Sequence, residues 1–307
     1  MNLQQDTINY WDDAEGEAAS SARNGHPGRN GRLGGSINVA ATTQTTTAIQ
    51  PPLTRPRRLH VAEQAPPRVS IVIPTLNEAR NLPHVFAKLP VWIHEIVLVD
   101  GHSTDGTTEV ARELFPDVRI VGQSGRGKGN ALRCGFEACT GDIIVMLDAD
   151  GSADPAEIDA FVDALCAGAD FAKGSRFVDG GGSSDITITR RLGNWFFSSL
   201  VNVLYRTRYS DLCYGYNAFW RRCLPAINVD CEGFEVETLI NIRVARAGLR
   251  IVEVPSFEQD RIHGESNLRT FRDGFRVLRT IFRELPRGRA VEQPTDVDVV
   301  PAPEAAG

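Results

Sequence analysis

Short, almost continuously apolar segments alternate with segments of helical length along the middle of this chain, and this alternation restricts the possible folds. The apolar segments predict strands at residues 69–73, 95–99, 118–121, 143–147 and 170–174, and the segments between them predict helices at 81–88, 104–114, 129–139 and 155–166. Strands that are apolar throughout are buried on both faces, as in parallel sheets covered by helices. The sequence therefore predicts an α/β fold with a mostly parallel sheet flanked by helices.

The two ends of the chain differ in composition from this middle part. Residues 1–67 are rich in Gly, Arg, Asn, Thr and Pro, and residues 286–307 contain several Pro and acidic residues. Such segments bury too little apolar surface to offset the entropy that they lose on ordering. We therefore predict disordered tails at 1–67 and 286–307 around one folded domain at 68–285, which ends in amphipathic helices.

Composition argues against several functional classes. The net charge of −6 gives no support for nucleic-acid binding. The six cysteines form no Cys-x-x-Cys pair and no Cys/His metal pattern, which is typical of reduced thiols in a cytoplasmic protein. We also expect no signal peptide and no membrane-spanning helix, because no apolar run reaches about 18 residues.

Two carboxylates directly follow the predicted strand at 143–147. Asp148 and Asp150 are spaced i, i+2, so on an extended chain they share one face, and Gly151 allows the backbone to turn after them. Carboxylate oxygens at a strand end suit Mg²⁺ or Mn²⁺, which take few protein ligands and bridge to phosphates. The alternative is that both are solvated loop acids, or that one of them caps the helix near Pro155.

Polar segments follow the other predicted strands as well. Ligands bind parallel sheets at the carboxyl ends of the strands, so residues 74–78, 100–107, 125–130 and 148–150 should meet at one edge. Asp100 suits a hydrogen bond to the N–H edge of a nucleobase, and Lys128 on its glycine-rich turn suits a diphosphate. Each has a simpler alternative, since Ser103 and Asp105 could cap a helix and Lys128 could be a surface residue.

These segments resemble family 2 glycosyltransferases of the GT-A fold, which is Rossmann-like. The resemblance is carried by PTLNE at 74–78, VDGHSTDGT at 99–107, RGKG at 126–129 and DAD at 148–150. Three later segments resemble the dolichol-phosphate mannosyltransferase branch, namely GSRF at 174–177, DLCYGYNAF at 211–219 and RIHGESNL at 261–268. The resemblance covers residues 68–285 and implies a metal-dependent hexosyltransferase.

The resemblance also implies residue roles. The residues implied to hold the nucleotide-sugar donor are Pro74, Thr75, Glu78, Asp100 and Lys128, with Arg261 and Ser266 closing over its diphosphate on a mobile loop. Asp148 and Asp150 would bind Mg²⁺ or Mn²⁺, so that Asp150 serves catalysis through the metal. Arg176, together with Arg190 or Arg191, would hold an acceptor phosphate, and we select Arg176 and Arg191 as catalytic residues beside Asp150.

Three positions depart from the family pattern. Gly101 stands where the family commonly has a second acid, and Ser152 stands where the branch often has Gln. Asn267 replaces a frequent Lys and removes one positive charge from the expected diphosphate site. The third metal ligand, the base and the sugar therefore stay open.

The reaction implied by the resemblance is inverting transfer of a hexose to a polyprenyl or dolichyl phosphate. The donor would be of the GDP-mannose or UDP-glucose type. A phosphate dianion attacks without a strong base, whereas a hydroxyl acceptor requires a carboxylate base, for which Glu235 and Glu237 are the candidates. The alternative function is thus a soluble family 2 enzyme acting on a saccharide or small-molecule hydroxyl. If the two glutamates have no catalytic role, they form the polar side of a helix start.

Residues 269–289 suggest how such a chain would reach a lipid. An apolar stripe with helical spacing is formed by Phe271, Phe275, Leu278, Phe282 and Leu285. A basic row with the same spacing, one residue later, is formed by Arg272, Arg276, Arg279 and Arg283. A basic amphipathic helix can lie in an anionic membrane interface. We therefore predict peripheral association with the inner face of the membrane or with a membrane partner subunit. We also predict that a second apolar segment, at 195–205, lines a groove for the acyl chain. In the alternative, both helices pack on the domain.

Overall fold

The computed structural model describes residues 65–264, 270–285 and 297–299. The strands are β1 Val69–Thr75, β2 Glu95–Asp100, β3 Arg119–Gly122, β4 Ile143–Met146, β5 Phe171–Ser175, β6 Gly182–Ser183, β7 Asn217–Trp220, β8 Ile251–Pro255, β9 Phe257–Glu258 and β10 Val297–Val299. The α-helices are α1 Leu82–Phe86, α2 Thr107–Leu114, α3 Gly127–Ala138, α4 Ile158–Cys166, α5 Ile188–Tyr205, α6 Leu224–Ile227, α7 Val236–Arg246 and α8 Thr270–Arg283.

The main sheet confirms the prediction of a mostly parallel α/β fold. Its strand order is β10-β8-β5-β7-β4-β1-β2-β3, and β6 pairs with β9 in a separate ribbon. β7 runs antiparallel to both β4 and β5, whereas the other neighbouring strands of this sheet are parallel. The sequence analysis missed β7, which is only four residues long and lies between the helices α5 and α6.

The apolar strands separate two layers of core. In β1, Ile71 and Ile73 face the layer that contains α4, while Val72 between them faces the layer that contains α3 and α7. Alternate residues of a strand point to opposite faces, so a sheet covered on both sides needs apolar residues at every position. This arrangement explains the continuous apolar runs in the sequence.

The loop after β2 determines where α2 begins. The helix starts at Thr107 rather than at residue 104 as predicted. The Thr104 N–H donates to Asn77 Oδ1 at 2.8 Å, and Asp105 Oδ1 accepts the Thr107 N–H at 3.1 Å. Residues 103–105 therefore bind the neighbouring loop and cap the helix instead of continuing it. Asp154 similarly accepts the Ala156 N–H ahead of α4.

Parts of the predicted tails lie outside the described residues, namely 1–64, 286–296 and 300–307. Within the predicted C-terminal tail, residues 297–299 form β10, which pairs in parallel with β8. Their sequence Val-Asp-Val alternates as an edge strand does, and the predicted extent of the disordered tails stays a prediction. The six cysteines are free thiols, as expected.

The last helix packs on the domain through one face and exposes another. Val277 and Ile281 are buried, whereas Phe271 is 89% exposed and Phe275 is also exposed. The buried carboxylate of Glu284 receives Arg243 at 2.9 Å, which ties the end of α8 to α7. The phenylalanines of the predicted apolar stripe are thus exposed, whereas Leu285 at its end packs against the core. Among the described residues, every helix is too short or too polar to cross a membrane.

We expect Phe219→Ala to lower the free energy of unfolding by about 3–5 kcal/mol, because it leaves a cavity between two core rings. Phe219 is 0% exposed, stacks on Phe171 with ring centroids 5.8 Å apart and meets Phe136 edge-on at 5.3 Å. Urea unfolding followed by circular dichroism measures the change. The control Phe271→Ala should change stability by less than about 0.5 kcal/mol. Equal effects of the two substitutions would contradict the burial described above.

Candidate active site

A cavity of about 890 Å³ lies at the carboxyl ends of the central strands. Its walls come from the loops that follow β1, β2, β3 and β4 and from α5 and α8. The sequence-predicted residues that line it are Pro74, Thr75, Glu78, Lys128, Asp148, Asp150, Arg176, Arg190 and Arg261. The polar segments after the strands therefore meet as parallel topology requires. Ser266 and Asn267 lie outside the described residues.

Asp100 is placed differently from the other predicted nucleoside-binding residues. Its carboxylate accepts the backbone N–H groups of His102 and Ser103 at 3.1 and 3.2 Å, and it is absent from the cavity wall among the described residues. Short acids commonly bind their own backbone two or three residues later. The role of Asp100 at a nucleobase stays a prediction, and the geometry shows it stabilising its own loop.

Gln123 lines the cavity, and the sequence analysis missed it. Its Nε2 donates to the Gly127 carbonyl at 2.7 Å. A Cβ at position 101 would lie 3.0 Å from Gln123 Oε1 and 3.0 Å from the Thr75 carbonyl oxygen. This crowding gives a physical reason for Gly101, the position where the family commonly carries an acid.

The two carboxylates after β4 face the cavity and pair with different cations. Asp148 Oδ1 lies 2.7 Å from Lys128 Nζ, and Asp150 Oδ2 lies 2.9 Å from Arg261 Nη2. Asp150 Oδ1 also accepts the Ser152 hydroxyl at 2.7 Å. Gly151 has a φ of 78°, which permits the turn that brings both acids to one loop.

This donor set fits a divalent cation. Two carboxylates on one loop offer hard oxygen ligands, and Mg²⁺ commonly takes only one or two protein carboxylates, completed by water and phosphate. Among the described residues, no group of three His, Cys, Asp or Glu side chains is arranged to hold a metal. Any cation bound here would therefore be held by Asp148 and Asp150, with its other ligands supplied by solvent and substrate.

Arg261 bridges two sides of the donor end. Its Nη1 lies 3.0 Å from Glu78 Oε1, while its Nη2 pairs with Asp150. The Ile262 N–H donates to the Asp150 carbonyl at 3.2 Å, which holds this segment against the loop after β4. The guanidinium thus joins the predicted nucleoside side to the predicted metal side.

Lys128 is enclosed by two carboxylates. Its Nζ lies 2.8 Å from Glu237 Oε1 in addition to its contact with Asp148. Burial alone would lower the pKa of Lys128, but the two carboxylates raise that pKa well above its usual value, so the ammonium stays charged. Glu237 lies in the first turn of α7 and is buried in the cavity wall, whereas Glu235, at the N-cap of the same helix, accepts the Gly233 N–H.

The predicted acceptor end is built around Arg176. Its Nε and Nη2 donate to the two oxygens of Asp211 at 2.7 and 3.0 Å, and its Nη1 donates to Glu258 at 2.9 Å. The guanidinium also lies 4.8 Å from the centre of the Tyr214 ring. Burial by itself would raise the pKa of Asp211. The neighbouring cations Arg176 and Lys173 outweigh this effect, so the pKa of Asp211 is below its ordinary value.

The structure brings Arg190 rather than Arg191 to the cavity. Arg190 lines it at the start of α5 and pairs with Asp185 at 3.3 Å. Arg191 lies with its guanidinium 5.8 Å from the centre of the Phe177 ring, in a shallow groove outside the cavity. Consecutive helix residues point about 100° apart, so one of the two arginines has to face away. The catalytic role of Arg191 stays a prediction, and Arg190 is the member of the pair that lies on the cavity wall.

Comparison with known proteins places this geometry in a family. The model described as Glycosyl transferase family 2 matches residues 70–225. A relative named glycosyltransferase AglJ from Haloferax volcanii is 30% identical over 221 residues, which are 71% of this chain and 72% of that protein. The polyprenol monophosphomannose synthase of Mycolicibacterium smegmatis is 33% identical, with 66% of this chain and 81% of that enzyme covered.

Two further proteins complete the comparison. The dolichol-phosphate mannosyltransferase of Pyrococcus furiosus is 31% identical over 70% of this chain, and the match spans 63% of that enzyme. The glucosyl-3-phosphoglycerate synthase of Mycobacterium tuberculosis, solved with Mn²⁺ and UDP, has a TM-score of 0.58 at 23% identity, over 71% of this chain and 80% of that one. The chain therefore belongs to glycosyl transferase family 2 and has the GT-A fold.

Proposed function

We propose that this chain is an inverting, metal-dependent hexosyltransferase that transfers a sugar from a nucleotide-sugar to a polyprenyl phosphate. The observation that carries the proposal is a single cavity whose wall carries two carboxylates, Asp148 and Asp150, for the donor side and two arginines, Arg176 and Arg190, for the acceptor side. The similar proteins named for polyprenol-phosphate and dolichol-phosphate mannosyl transfer support the lipid acceptor. The donor is of the GDP-mannose or UDP-glucose type.

The chain's residues divide the work between donor and acceptor. A Mg²⁺ or Mn²⁺ held by Asp148 and Asp150 supplies charge neutralisation for the departing nucleoside diphosphate. Lys128, on the first turn of α3, adds a positive charge beside that diphosphate, and the helix N-terminus favours the same anion. Pro74, Thr75 and the neighbouring loop hold the nucleoside.

Arg176 and Arg190 orient the acceptor phosphate in the same cavity. A phosphate oxygen attacks the anomeric carbon as the bond to the diphosphate breaks, so the configuration inverts. The phosphate monoester is already largely dianionic near neutral pH, with a second pKa of about 6, and no side chain has to remove a proton. Guanidinium groups match phosphate oxygens in geometry as well as in charge.

The hydroxyl-acceptor alternative is less well supported. It requires a carboxylate that is free to take a proton from the acceptor. Glu237 is bound to Lys128, and Glu235 is absent from the cavity wall among the described residues. Neither candidate base is thus available in the arrangement described.

The exposed face of α5 and α8 supports association with a membrane. We call it the apolar helix face and define it by Ile188, Leu192 and Trp195 of α5 with Phe271 and Phe275 of α8, all of which are exposed. The same two helices line the acceptor end of the cavity. A lipid whose phosphate reaches Arg190 would therefore have its chain beside apolar side chains. We propose that this face binds the anionic inner leaflet of the membrane. The alternative is binding to a membrane partner subunit, and the vesicle experiment below distinguishes the two.

We expect Asp150→Asn to lower kcat by about 100-fold or more, because the leaving diphosphate loses a metal ligand. Transfer of labelled sugar from donor to a short polyprenyl phosphate measures the effect, and excess EDTA should abolish wild-type activity. The matched control is Asp154→Asn on the same loop, where Asn also caps a helix and activity should stay near wild type. Full activity of Asp150→Asn, or of the wild type in EDTA, would contradict the metal assignment.

Arg190→Gln and Arg191→Gln form a matched pair for the acceptor. Losing a charge-assisted contact of about 1.5–3 kcal/mol should raise the acceptor KM, or lower kcat, by about 10- to 150-fold for Arg190→Gln, with the donor KM unchanged. Arg191→Gln should change either constant by less than about threefold, as expected for an exposed charge. Steady-state kinetics with varied acceptor measures both. A larger effect at Arg191 would restore that residue to the acceptor site.

Replacing the apolar helix face should weaken membrane binding. Trp195 and Phe271 are 67% and 89% exposed, and we expect Trp195→Ser with Phe271→Ser to reduce sedimentation with anionic vesicles and activity on long-chain acceptors. Short acceptors should react normally. The control Val91→Ser changes an exposed residue on the loop before β2, at the opposite edge of the sheet, and should bind vesicles like wild type. Failure of the wild type to bind anionic vesicles would favour a partner subunit instead.

A further inference from the structure

Lys128 forms three close contacts with two carboxylates that have different surroundings. Its Nζ lies 2.7 Å from Asp148 Oδ1, 2.9 Å from Asp148 Oδ2 and 2.8 Å from Glu237 Oε1. The Asp148 side chain is about one-third exposed, whereas the Glu237 side chain is almost completely buried. The ammonium thus lies between an accessible carboxylate and an enclosed one.

The fold is arranged to bring Glu237 to this position. Gly129 N–H donates to the Glu232 carbonyl at 2.9 Å, and a Cβ at Gly127 or Gly129 would collide with the backbone carbonyl of residue 232 or 231. The first turn of α3 therefore lies against the segment that leads into α7. A Cβ at Gly215 would lie 2.8 Å from Lys128 Nζ, so a side chain at this position would require the ammonium to shift.

A divalent cation on Asp148 would compete with Lys128 for the same oxygens. Both Asp148 oxygens are within hydrogen-bond distance of the ammonium, and two positive charges repel strongly at such separations. The lysine therefore has to give up at least one of these contacts when the cation binds. Glu237 is the remaining anion within reach among the described residues, and its burial makes an unpaired charge there costly.

We propose that Glu237 is a positioning residue that retains Lys128 in the cavity when a divalent cation takes Asp148. The inference rests on the proposed function, in which Asp148 is a metal ligand. Glu237 keeps the ammonium beside the leaving diphosphate instead of letting it compete for the metal site. It touches neither substrate nor metal and acts through Lys128. An acidic residue at position 237 thus allows Lys128 and a divalent cation to be bound in the cavity at the same time.

Mn²⁺ binding to the purified full chain without nucleotide tests this, with free Mn²⁺ measured by electron paramagnetic resonance. Glu237→Gln keeps the shape and removes the charge, so the cation must displace Lys128 without compensation, and the Kd for Mn²⁺ should rise about tenfold. Lys128→Met removes the competitor, and the Kd should fall by a similar factor. Adding Glu237→Gln to Lys128→Met should then change the Kd by less than about twofold, because Glu237 acts through the lysine.

The matched control is Glu137→Gln, which removes the same charge from an exposed position of α3 and should leave the Kd unchanged. Thermal unfolding of each variant reports whether the fold is kept, and Glu237→Asp, which keeps the charge, should bind Mn²⁺ more tightly than Glu237→Gln. An equal effect of Glu237→Gln with and without Lys128, or no effect at all, would overturn the inference while leaving the metal site intact. Absence of Mn²⁺ binding by the wild type would overturn the metal assignment as well.

Discussion

One ammonium group connects the parts of the chain that form the donor end of the cavity. Lys128 follows the turn after β3, Asp148 follows β4, and Glu237 lies in the first turn of α7. Each of these segments is fixed to the core by apolar packing, but their mutual distances within the cavity are set by the two ion pairs. Taking a lysine out of water is costly unless carboxylates compensate for its charge, so the site needs both partners. Gly215 lies beside this ammonium, because a Cβ there would come within 2.8 Å of Lys128 Nζ.

The other cations of the cavity follow the same pattern. Arg176 is held by Asp211 and Glu258, and Arg261 is held by Glu78 and Asp150. A phosphate that enters therefore meets cations already oriented by hydrogen bonds, and less side-chain entropy is lost on binding. The carboxylates also limit how tightly a phosphate is held, since they compete for the same N–H donors. Such a balance suits an enzyme that has to release a nucleoside diphosphate after every transfer.

Much of the fold and the gathering of the site were predictable from sequence, since both follow from strand polarity. Apolar runs ending in polar segments require those segments to meet at one edge, and Asp148, Asp150 and Lys128 do meet there. Local sequence gave no means of choosing between Arg190 and Arg191, because that choice depends on how α5 is rotated about its axis. It also gave no sign that Asp100 binds its own loop.

Contacts between distant segments account for other differences. The Glu237 contact with Lys128 depends on α7 reaching α3, and the Asp211 contact with Arg176 depends on the loop before β7. The antiparallel strand β7, inserted between β4 and β5, produces the second contact and was not visible as a strand in the sequence. Pairings of this kind are properties of the tertiary structure, and amino-acid pattern within one segment does not encode them.

The segment from Glu258 to Arg261 contacts both ends of the cavity within four residues. Glu258 binds the acceptor-side Arg176, the Gln259 N–H donates to the Ser152 carbonyl, and Arg261 binds Asp150 on the donor side. A substrate that displaces Arg261 from Asp150 and a substrate that displaces Glu258 from Arg176 would therefore both act on this segment. If one substrate changes the affinity for the other in this way, linkage requires the second to change the affinity for the first by the same factor. One short stretch of backbone thus contacts the side chains that we propose for both substrates.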